Sequence, residues 1–459
     1  MSVKKLVGFS CGIAACIVFW NLPLVGIAAD GQICLALTLM TVVWWASDAM
    51  PPGYSGLALL IGYSVFIDAG TAPPSLIFSL WTTPTAYLII GGFLIASAVG
   101  DSGLGKRLAL NYVKRFVKTY KGLVVSCYVL GFLLSLIIPN SFARAFLLMA
   151  ALKYAIGSVG LDRNSAANVG LAVFAGAVPS CLVFITCDST LNPIVIGFAG
   201  VHVHWLQWAH DMTLPGLLAI TLTCCSHLAM LKEPDSFFID AGKIETGLQE
   251  LGAFSLTEKK TLFAVALAIL LWSTDSIHGV NAGLTAIGIA VLLSSPLIGV
   301  LNASSWAQVP LGTLFFLCAA FAIGSVGEAT GMNDWIADYL IPSHVSNNPY
   351  VFALVALLLC MLMHLAIGSV AATLGVATPA IIRFGAAAGM PPLVSAYIVR
   401  TAVSLQWLFP YHHMNLLIGL GEYGGYTEKD VVRMGIRQMP VALAVVLFQV
   451  FWWKLAGLV

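Results

Sequence analysis

The chain has 459 residues, of which 59% are apolar and only 9% are charged. This composition excludes an ordinary soluble domain and predicts an all-α polytopic membrane protein. At about 20 residues per crossing, the length accommodates roughly 11 transmembrane helices. The net charge of +1 argues against a nucleic-acid partner. The ten cysteines include no C-x-x-C pair, so the sequence indicates neither a disulfide framework nor a zinc site.

Apolar runs at residues 6–28, 33–46 and 54–67 predict the first three spans. Lys4 and Lys5 give the chain a short basic start, which is typical of a first span with a cytoplasmic N-terminus rather than of a cleaved signal peptide. No organelle transit pattern is seen, so we expect an integral protein of a bacterial inner membrane.

A basic amphipathic segment comes after the next apolar run. Between Asp101 and Lys121 the chain has six lysine or arginine residues and one aspartate. Leu108, Tyr112 and Phe116 fall on one helical face of this segment. The pattern predicts an interfacial helix on the cytoplasmic side of the membrane.

The stretch 137–146, I-I-P-N-S-F-A-R-A-F, interrupts an apolar run that is too long for one simple span. Pro139 lacks a backbone N–H, and Arg144 is a permanent cation at membrane depth. Asn140 and Ser141 add small polar groups between them. Non-helical backbone inside a bilayer is tolerated only where it is buried in protein or lines a wet cavity. We therefore expect a re-entrant helical hairpin whose tip holds a ligand.

Further along the chain, a segment rich in small residues extends over 166–186 and stops at C-D-S-T-L-N-P, residues 187–193. This pattern predicts a second interrupted helix. The one long polar stretch, residues 232–260, is interpreted as the connection between two halves. It predicts a first repeat with the N-terminal spans in residues 1–231 and a second repeat in residues 261–459.

The two halves share an order of features and a constant offset of 228 residues, which aligns identical residues such as Phe93 with Phe321, Ser97 with Ser325, Gly103 with Gly331 and Ser141 with Ser369. Each half has an apolar segment, a glycine-bearing amphipathic helix, a broken hairpin and a later interrupted helix. The second amphipathic helix, predicted over 329–347, has Asp334 and Asp338 but no lysine or arginine. This difference in charge predicts that the two copies lie on opposite faces of the membrane, as in an inverted-topology repeat.

Inverted repeats with broken helices place a binding site near the bilayer midplane. Half-helix N-termini there direct positive dipole ends at an anion, and unwound carbonyl groups coordinate a cation. Four candidate tips meet this description, at residues 140–144, 188–192, 368–373 and 410–415.

Histidines suggest a different chemistry. A histidine cluster at 202–210 lies beside Asp211, but its two tryptophans favour an interfacial loop anchored at headgroup level over a metal site. His412 and His413 lie in the last tip and are candidates for substrate contact or proton coupling. His364 is interpreted as a core histidine that hydrogen-bonds across helices. Because no H-E-x-x-H or similar metal-ligand spacing occurs, a membrane-embedded enzyme is disfavoured. A channel would give an ion current that is not coupled to any exchange. Closed tips around one site at the bilayer midplane instead predict a saturable flux of substrate.

The order and spacing of these segments resemble the divalent-anion:sodium symporter family, which carries dicarboxylates, citrate or sulfate. The family's first hairpin is often written P-S-N-T-A-R, and residues 139–144 keep its Pro, Ala and Arg. Its later interrupted helices end near P-P-N before an apolar I-V-x-G stretch, to which residues 191–197 and 414–419 are similar. The family's T-G-L-G-K-R helix resembles residues 102–107. The chain departs from the pattern at residues 140–142, N-S-F, and in the second hairpin, which reads G-S-V and has no asparagine.

The resemblance implies a homodimer whose protomers each have a scaffold domain and a transport domain that carries both re-entrant hairpins and moves like an elevator. Carried over by position, the substrate-binding residues would be Asn140, Ser141, Asn192, Ser369 and Asn415. The resemblance also implies sodium binding at both tips, and the candidate ion-binding residues are Asn140, Ser141, Asp188, Gly368 and Ser369. The second tip has fewer oxygen side chains, although carbonyl groups can also coordinate an ion.

Arg144 offers another way to balance the charge of the substrate. A guanidinium can bind a carboxylate bidentately without any sodium. Alternatively, Arg144 pairs with Asp188 and holds two tips together. An unpaired Asp188 would be a candidate carrier of a coupling proton.

The sequence thus predicts a transporter rather than an enzyme. Its expected activity is sodium-coupled symport of small divalent organic anions, with Na⁺ as coupling ion, no other cofactor and the lipid bilayer as surroundings. The alternative is sodium-independent anion exchange or proton coupling, with Arg144 in place of a sodium site.

Overall fold

The computed structural model describes residues 3–156, 161–234, 237–238, 241–340, 346–421 and 424–459. Within these ranges the regular structure is helical apart from one isolated β-bridge between Leu420 and Tyr426. The predicted all-α class is therefore confirmed. Parts of the predicted connecting segment and of the predicted second amphipathic helix, residues 235–236, 239–240 and 341–345, lie outside the described residues.

The helices of the first half and of the connecting segment are α1 (Val3–Asn21), α2 (Ala29–Ser47), α3 (Pro52–Phe66), α4 (Pro74–Ile77), α5 (Pro84–Asp101), α6 (Leu104–Phe116), α7 (Tyr120–Ser135), α8 (Ser141–Ile156), α9 (Arg163–Gly176), α10 (Leu191–Ala199), α11 (Trp205–Leu228) and α12 (Ala241–Glu250). Those of the second half are α13 (Leu256–Ser273), α14 (Asp275–His278), α15 (Ala282–Ser294), α16 (Leu311–Ala329), α17 (Met332–Leu340), α18 (Pro349–Ile367), α19 (Val370–Ala387), α20 (Pro392–Leu405), α21 (Met414–Ile418) and α22 (Glu428–Ala456).

Seven helical segments among the described residues are long and apolar enough to cross a membrane, and α7, α8 and α20 are shorter apolar helices that end or begin at breaks. The total of about 11 spans stays a prediction. Many helix starts follow from local sequence. Proline occupies an early position in α3, α5, α18 and α20, where its missing N–H costs no hydrogen bond. Asp162 caps α9 by accepting from the N–H groups of Asn164 and Ser165.

Several helices of the first half recur in the second half at a nearly constant offset. Helix α6 begins at Leu104 and α17 at Met332, 228 residues later, and similar offsets relate α2 to α13, α3 to α15, α5 to α16 and α9 to α20. The repeats interlock, because α3 packs along α16 while the corresponding pair, α15 and α5, packs in the same way. Glycines allow this close approach: a Cβ at Gly53 would lie 2.7 Å from Cα of Gly312.

A cavity of about 900 Å³ is lined by opposite ends of corresponding helices from the two halves. Thr83 and Asn281, at the N-terminal ends of α5 and α15, line this cavity together with Glu328 at the C-terminal end of α16. Because α6 follows the other end of α5 while α17 directly follows α16, the two amphipathic helices lie on opposite faces of the protein. This is the arrangement that their difference in charge predicts.

Both hairpins break where the sequence predicts. Helix α7 ends at Ser135 and α8 begins at Ser141, so that Pro139 and Asn140 lie in the break. In the second half, α18 ends at Ile367 and α19 begins at Val370. Two pairs of helices therefore meet at tips inside the protein.

The second interrupted helix differs from its prediction. Helix α9 ends at Gly176 rather than near residue 186, and short 3₁₀ turns at Pro179–Leu182 and Ile185–Asp188 fill the interval before α10. Pro179 accounts for the earlier end, because it lacks the N–H that would continue the helix. The break is therefore longer than expected and supplies more free main-chain oxygens.

The polar connecting segment contains α12 and is bound to the basic face of α6. Arg107 pairs with Glu258 at 2.5 Å, and its guanidinium also donates to the carbonyl oxygens of residues 251–253. Further ion pairs join Lys114 to Glu245, Lys106 to Glu250 and Lys121 to Glu233. Helix α13 begins inside this segment, at Leu256. Basic residues of α6 therefore contact the connecting segment, while their contact with the membrane surface stays a prediction.

Candidate functional site

The Arg144 guanidinium is fully buried at the base of the first hairpin tip. It donates hydrogen bonds of 2.9–3.0 Å to the carbonyl oxygens of Ile138, Ala177 and Cys187. The hydroxyl of Ser180 accepts another at 3.1 Å. Arg144 therefore clamps the first hairpin to the break between α9 and α10, using carbonyl groups that lie where regular helical hydrogen bonding is interrupted.

The first tip is also bound to this break through Ser189. Both the backbone N–H and the hydroxyl of Ser189 donate to the carbonyl oxygen of Pro139, at 3.1 and 2.8 Å. Asn140 Oδ1 accepts from the N–H of Ala143 at 2.9 Å and so caps α8. Asn140 and Ser141 are both buried. These two predicted site residues thus lie at the junction of the two breaks.

Asp188 forms a buried ion pair with Arg400 of α20, with 3.4 Å between Oδ2 and Nη2. Arg400 Nε donates to Oδ1 of Asn192 at 2.6 Å, and Nη1 donates to the Ser404 hydroxyl. The other carboxylate oxygen of Asp188 accepts two backbone N–H groups at the start of α10. Asp188 therefore pairs with Arg400 and not with Arg144, and the pair joins the first repeat to the second.

Arg400 is the residue of this site that sequence reasoning missed. It lies in the apolar helix α20, and its side chain is 1% exposed. A permanent cation at membrane depth is the same signal that singled out Arg144. No proline, glycine or helix break adjoins Arg400 in the sequence, so its partners become visible only when α20 lies against the break at Asp188.

A histidine cluster lies where the second tip meets the last helix break. His364 Nδ1 is 2.8 Å from Oγ1 of Thr373, and the ring centroids of His364 and His412 are 4.9 Å apart. Ser369 caps α19, and Gly368 adopts the left-handed conformation with a φ of +72° that ends α18. Glycine suits this position because a side chain would strain it. The second tip is therefore in contact with the last break.

Several buried polar atoms of this cluster have no hydrogen-bond partner in the part of the chain that the structure describes. They are Nε2 of His364, His412 and His413, and Nδ2 of Asn415. His413 also lies close enough to Arg400 to interact with it electrostatically. Buried polar groups are normally satisfied, since an unpaired one costs free energy. The cluster is therefore suited to receive a polar ligand.

The predicted site residues form two neighbouring groups with Arg400 between them. The first group comprises Asn140, Ser141, Arg144, Asp188 and Asn192, and the second comprises Gly368, Ser369, His412, His413 and Asn415. Arg400 contacts Asp188 and Asn192 of the first group and lies within electrostatic range of His413 of the second. The arrangement places unsatisfied polar groups beside the Asp188–Arg400 ion pair, where they are available to an anionic ligand.

The oxygen atoms available for a coupling cation differ between the tips. At the first break, the carbonyl groups of Ile138, Ala177 and Cys187 already accept from Arg144. At the second tip, the Ser369 hydroxyl accepts a long 3.5 Å bond from an α19 N–H, which leaves it largely available. No group of three His, Cys, Asp or Glu side chains among the described residues is arranged to hold a metal ion. A coupling ion would therefore depend on hydroxyl and main-chain oxygens.

The tryptophans of the 202–210 segment are buried inside the protein, so the prediction that they anchor the chain in lipid headgroups is wrong. Trp205 Nε1 donates to Oγ1 of Thr186 at 3.0 Å, and Trp208 Nε1 donates to the Leu182 carbonyl oxygen at 3.1 Å. Both rings therefore hold α11 against the break between α9 and α10. Their apolar faces pack in the core while each N–H finds a carbonyl or hydroxyl partner.

The 900 Å³ cavity lies between the broken-helix elements α10 and α19 and the helices α5, α15 and α16. Its polar lining includes Thr83, His202, Asn281, Glu328 and Arg383. Phe198 of α10 stacks on Phe321 of α16 beside it, with ring centroids 4.9 Å apart. The helices that carry the breaks are thus separated from their neighbours by open space on one face of the protein.

Comparison with known proteins agrees with this architecture. Residues 3–459 match the family model described as sodium:sulfate symporter transmembrane region. The chain is 27% identical over 373 residues to the putative malate transporter YflS of Bacillus subtilis (strain 168), covering 77% of this chain and 76% of that protein. It is also 27% identical over 444 residues to the chloroplastic dicarboxylate transporter 1 of Spinacia oleracea, covering 92% and 74%. The crystal structure of the Alcanivorax borkumensis YdaH transporter has a similar fold, with a TM-score of 0.51, 16% identity, and coverage of 83% of this chain and 87% of that chain.

Proposed function

This chain belongs to the sodium:sulfate symporter transmembrane-region family, and from that premise we propose that it is a secondary active transporter of small dicarboxylates. The family and the apolar helices make it an integral membrane transporter. Relatives named as malate and dicarboxylate transporters support the substrate class.

The observation that carries this proposal is the position of Arg400 between two helix breaks. Its guanidinium is held by Asp188 and Asn192 of one break and lies within electrostatic range of His413 of the other. A dicarboxylate between the breaks would meet a cation and the unsatisfied polar atoms of the histidine cluster. The four broken elements surround the ligand with protein, so that it crosses without contact with lipid.

Sodium coupling and an elevator movement are part of the proposal. The Ser369 hydroxyl and main-chain oxygens at the second tip are the atoms that would coordinate sodium. The moving body would comprise the two hairpins and the interrupted helices, because the 900 Å³ cavity already opens, on one face of the protein, between α10 and α19 on one side and α5, α15 and α16 on the other. We further propose a homodimer in a bacterial inner membrane, with the N-terminus on the cytoplasmic side.

A second candidate is sodium-independent exchange or proton coupling. It is favoured by Arg144, whose guanidinium takes up the carbonyl groups that a cation would use at the first break. The buried imidazoles of His412 and His413 supply further polar atoms at the second tip. In this mechanism fixed positive charge in the protein replaces a co-transported cation.

Uptake into proteoliposomes tests both mechanisms. Labelled succinate, malate, citrate and sulfate are offered with an inward sodium gradient, an inward proton gradient, or unlabelled anion inside the vesicles. Uptake that requires the sodium gradient supports symport, and uptake that requires only protons or internal anion supports the second candidate. Absence of saturable flux for all four anions would refute the substrate assignment.

A further inference from the structure

A stripe of basic residues at the start of α22 takes no part in the candidate site. Lys429, Arg433 and Arg437 are spaced four residues apart and therefore lie on one helical face. None of the three forms an ion pair or hydrogen bond with a residue that the structure describes. Such cations are available to an external anion.

The stripe borders a groove of about 450 Å³ between α22 and the last helix break. The groove is lined by the apolar residues Phe409, Pro410, Val432 and Ile436 and by the charged residues Glu428, Lys429 and Arg433. Its lining thus combines apolar side chains with two cations and one carboxylate. This combination matches a ligand that has an anionic group attached to hydrocarbon.

The position of the groove in the membrane follows from the packing of α22 against α11. Trp452 and Trp453, near the end of α22, donate to carbonyl oxygens of His210 and Asp211, near the start of α11. The two helices are therefore antiparallel, and α22 begins where α11 ends, beside the connecting segment that binds α6. The groove lies on the face of the protein that carries basic helix α6.

The length of α22 places the stripe at headgroup depth. The helix has 29 residues, which at about 1.5 Å each is longer than a hydrocarbon core of about 30 Å. Its first turns therefore extend beyond the hydrocarbon. Ile436 and Met414 nearby are 58% and 53% exposed, as expected of side chains that contact lipid.

We propose that this groove binds the phosphate headgroup of an anionic phospholipid, with Lys429 and Arg433 on the phosphate and the first part of an acyl chain along Phe409 and Ile436. The exposed apolar wall favours a lipid over a free phosphate ion, which would gain nothing from it. Because Phe409 and Pro410 adjoin His412, the bound lipid contacts the segment that forms the last break.

Native mass spectrometry of the purified full chain tests the proposal, with phosphatidylglycerol and phosphatidylcholine as probes. Wild-type protein is expected to retain phosphatidylglycerol in preference to phosphatidylcholine. Each cation removed should weaken phosphatidylglycerol binding roughly fivefold, so that the double variant Lys429→Gln/Arg433→Gln loses about 25-fold in affinity. Glu428→Gln should strengthen binding, because it removes the one acidic group that lines the groove.

Arg163→Gln provides the matched control, since Arg163 is exposed at the start of α9 and does not line this groove. It should leave lipid binding unchanged, and equal thermal stability of all variants will show that they remain folded. Equal phosphatidylglycerol retention by wild type and double variant would overturn the proposal. Displacement of the lipid by millimolar inorganic phosphate would also overturn it, because the groove would then be a site for an aqueous anion.

Discussion

Asp188 and Arg400 come from different repeats, 212 residues apart, yet their side chains form an ion pair inside the protein. Both are nearly inaccessible, and Asn192 Oδ1 and Ser404 Oγ complete the partners of the guanidinium. The interaction joins an interrupted helix of the first half to a helix of the second. It therefore bears on both stability and ligand binding.

Removal of one partner of this pair should destabilise the protein strongly. Asp188→Asn is expected to cost about 3–5 kcal/mol, because Arg400 is left as an uncompensated buried charge. Thermal unfolding of the purified protein in detergent measures the effect. The double variant Asp188→Asn/Arg400→Gln should recover part of the loss, since no net charge is then buried. A double variant less stable than the sum of the single changes would contradict this account.

Arg144 should be intolerant of lysine. A lysine has three N–H donors on one nitrogen and cannot reach the separate carbonyl groups of Ile138, Ala177 and Cys187 that the planar guanidinium joins. If Arg144 acts as a clamp, Arg144→Lys lowers the maximal uptake rate and the melting temperature but leaves KM for the anion unchanged. A large increase in KM with unchanged stability would instead indicate that Arg144 contacts the substrate.

His413 should contribute to anion affinity. His413→Phe keeps an aromatic ring but removes the polar nitrogens, and loss of one hydrogen bond to a charged ligand is worth about 1.5–3 kcal/mol. We therefore expect KM for the transported dicarboxylate to rise roughly 10- to 100-fold. His278→Phe is the control, because His278 is exposed in the short helix α14, away from both tips. A KM equal to that of wild type would remove His413 from the site.

Gly92 on α5 should be essential for the contact with the first tip. A Cβ at this position would lie 2.3 Å from Oγ of Ser189, whereas a Cβ at Gly100, on the same helix, would meet nothing within 4 Å. Gly92→Ala is expected to cost about 1–3 kcal/mol through overpacking and to reduce uptake. Gly100→Ala should change neither. Equal uptake and melting temperature for both variants would show that the tip shifts freely away from α5.

Binding of the connecting segment to α6 should weaken at acidic pH. Burial of the Glu258 carboxylate acts to raise its pKa, but hydrogen bonds from Arg107 and from the Ser255 cap outweigh this effect, so that the pKa is lowered overall. A carboxylate with a lowered pKa stabilises the folded state above its unfolded pKa, and this stabilisation is lost as the pH falls through the lowered value.

Limited proteolysis within residues 251–255 measures this effect. Cleavage should be slow at neutral pH and faster as the pH falls below the ordinary range of a glutamate, with a protease that is active throughout. Glu258→Gln should be cleaved rapidly at neutral pH and show little further change. A wild-type cleavage rate that does not depend on pH would contradict the proposed contribution of the ion pair.

The breaks of the hairpins could be predicted from sequence because they depend on local chemistry. Pro139 removes a donor, Asn140 caps the next helix, and Gly368 supplies the left-handed residue that ends α18. The end of α9 was placed too late because small apolar residues continue beyond Gly176, although Pro179 was the available signal. Local features of this kind are visible in a single chain without knowledge of its tertiary contacts.

The partners of charged groups could not be predicted in the same way. Arg144 was recognised as a cation at membrane depth, but two of its three carbonyl partners, Ala177 and Cys187, lie 33 and 43 residues away in the sequence. Arg400 is likewise a permanent cation at membrane depth, but no helix break adjoins it in the sequence. The basic residues of α6 were interpreted as facing the membrane surface, yet acidic side chains of the connecting segment also bind them. Each of these outcomes depends on which distant segment lies alongside.

The interlocked packing of the repeats has a consequence for biosynthesis. Gly53 of α3 finds its contact with Gly312 only after about 260 further residues have been made, which at 5–20 residues per second takes roughly 13 to 50 s. During that time α3 lies in the bilayer or beside the insertion machinery, and its glycine face does not yet contact α16. If a ribosome stalls near the connecting segment, the first half therefore cannot complete its core. Such a product would be a substrate for quality-control proteases.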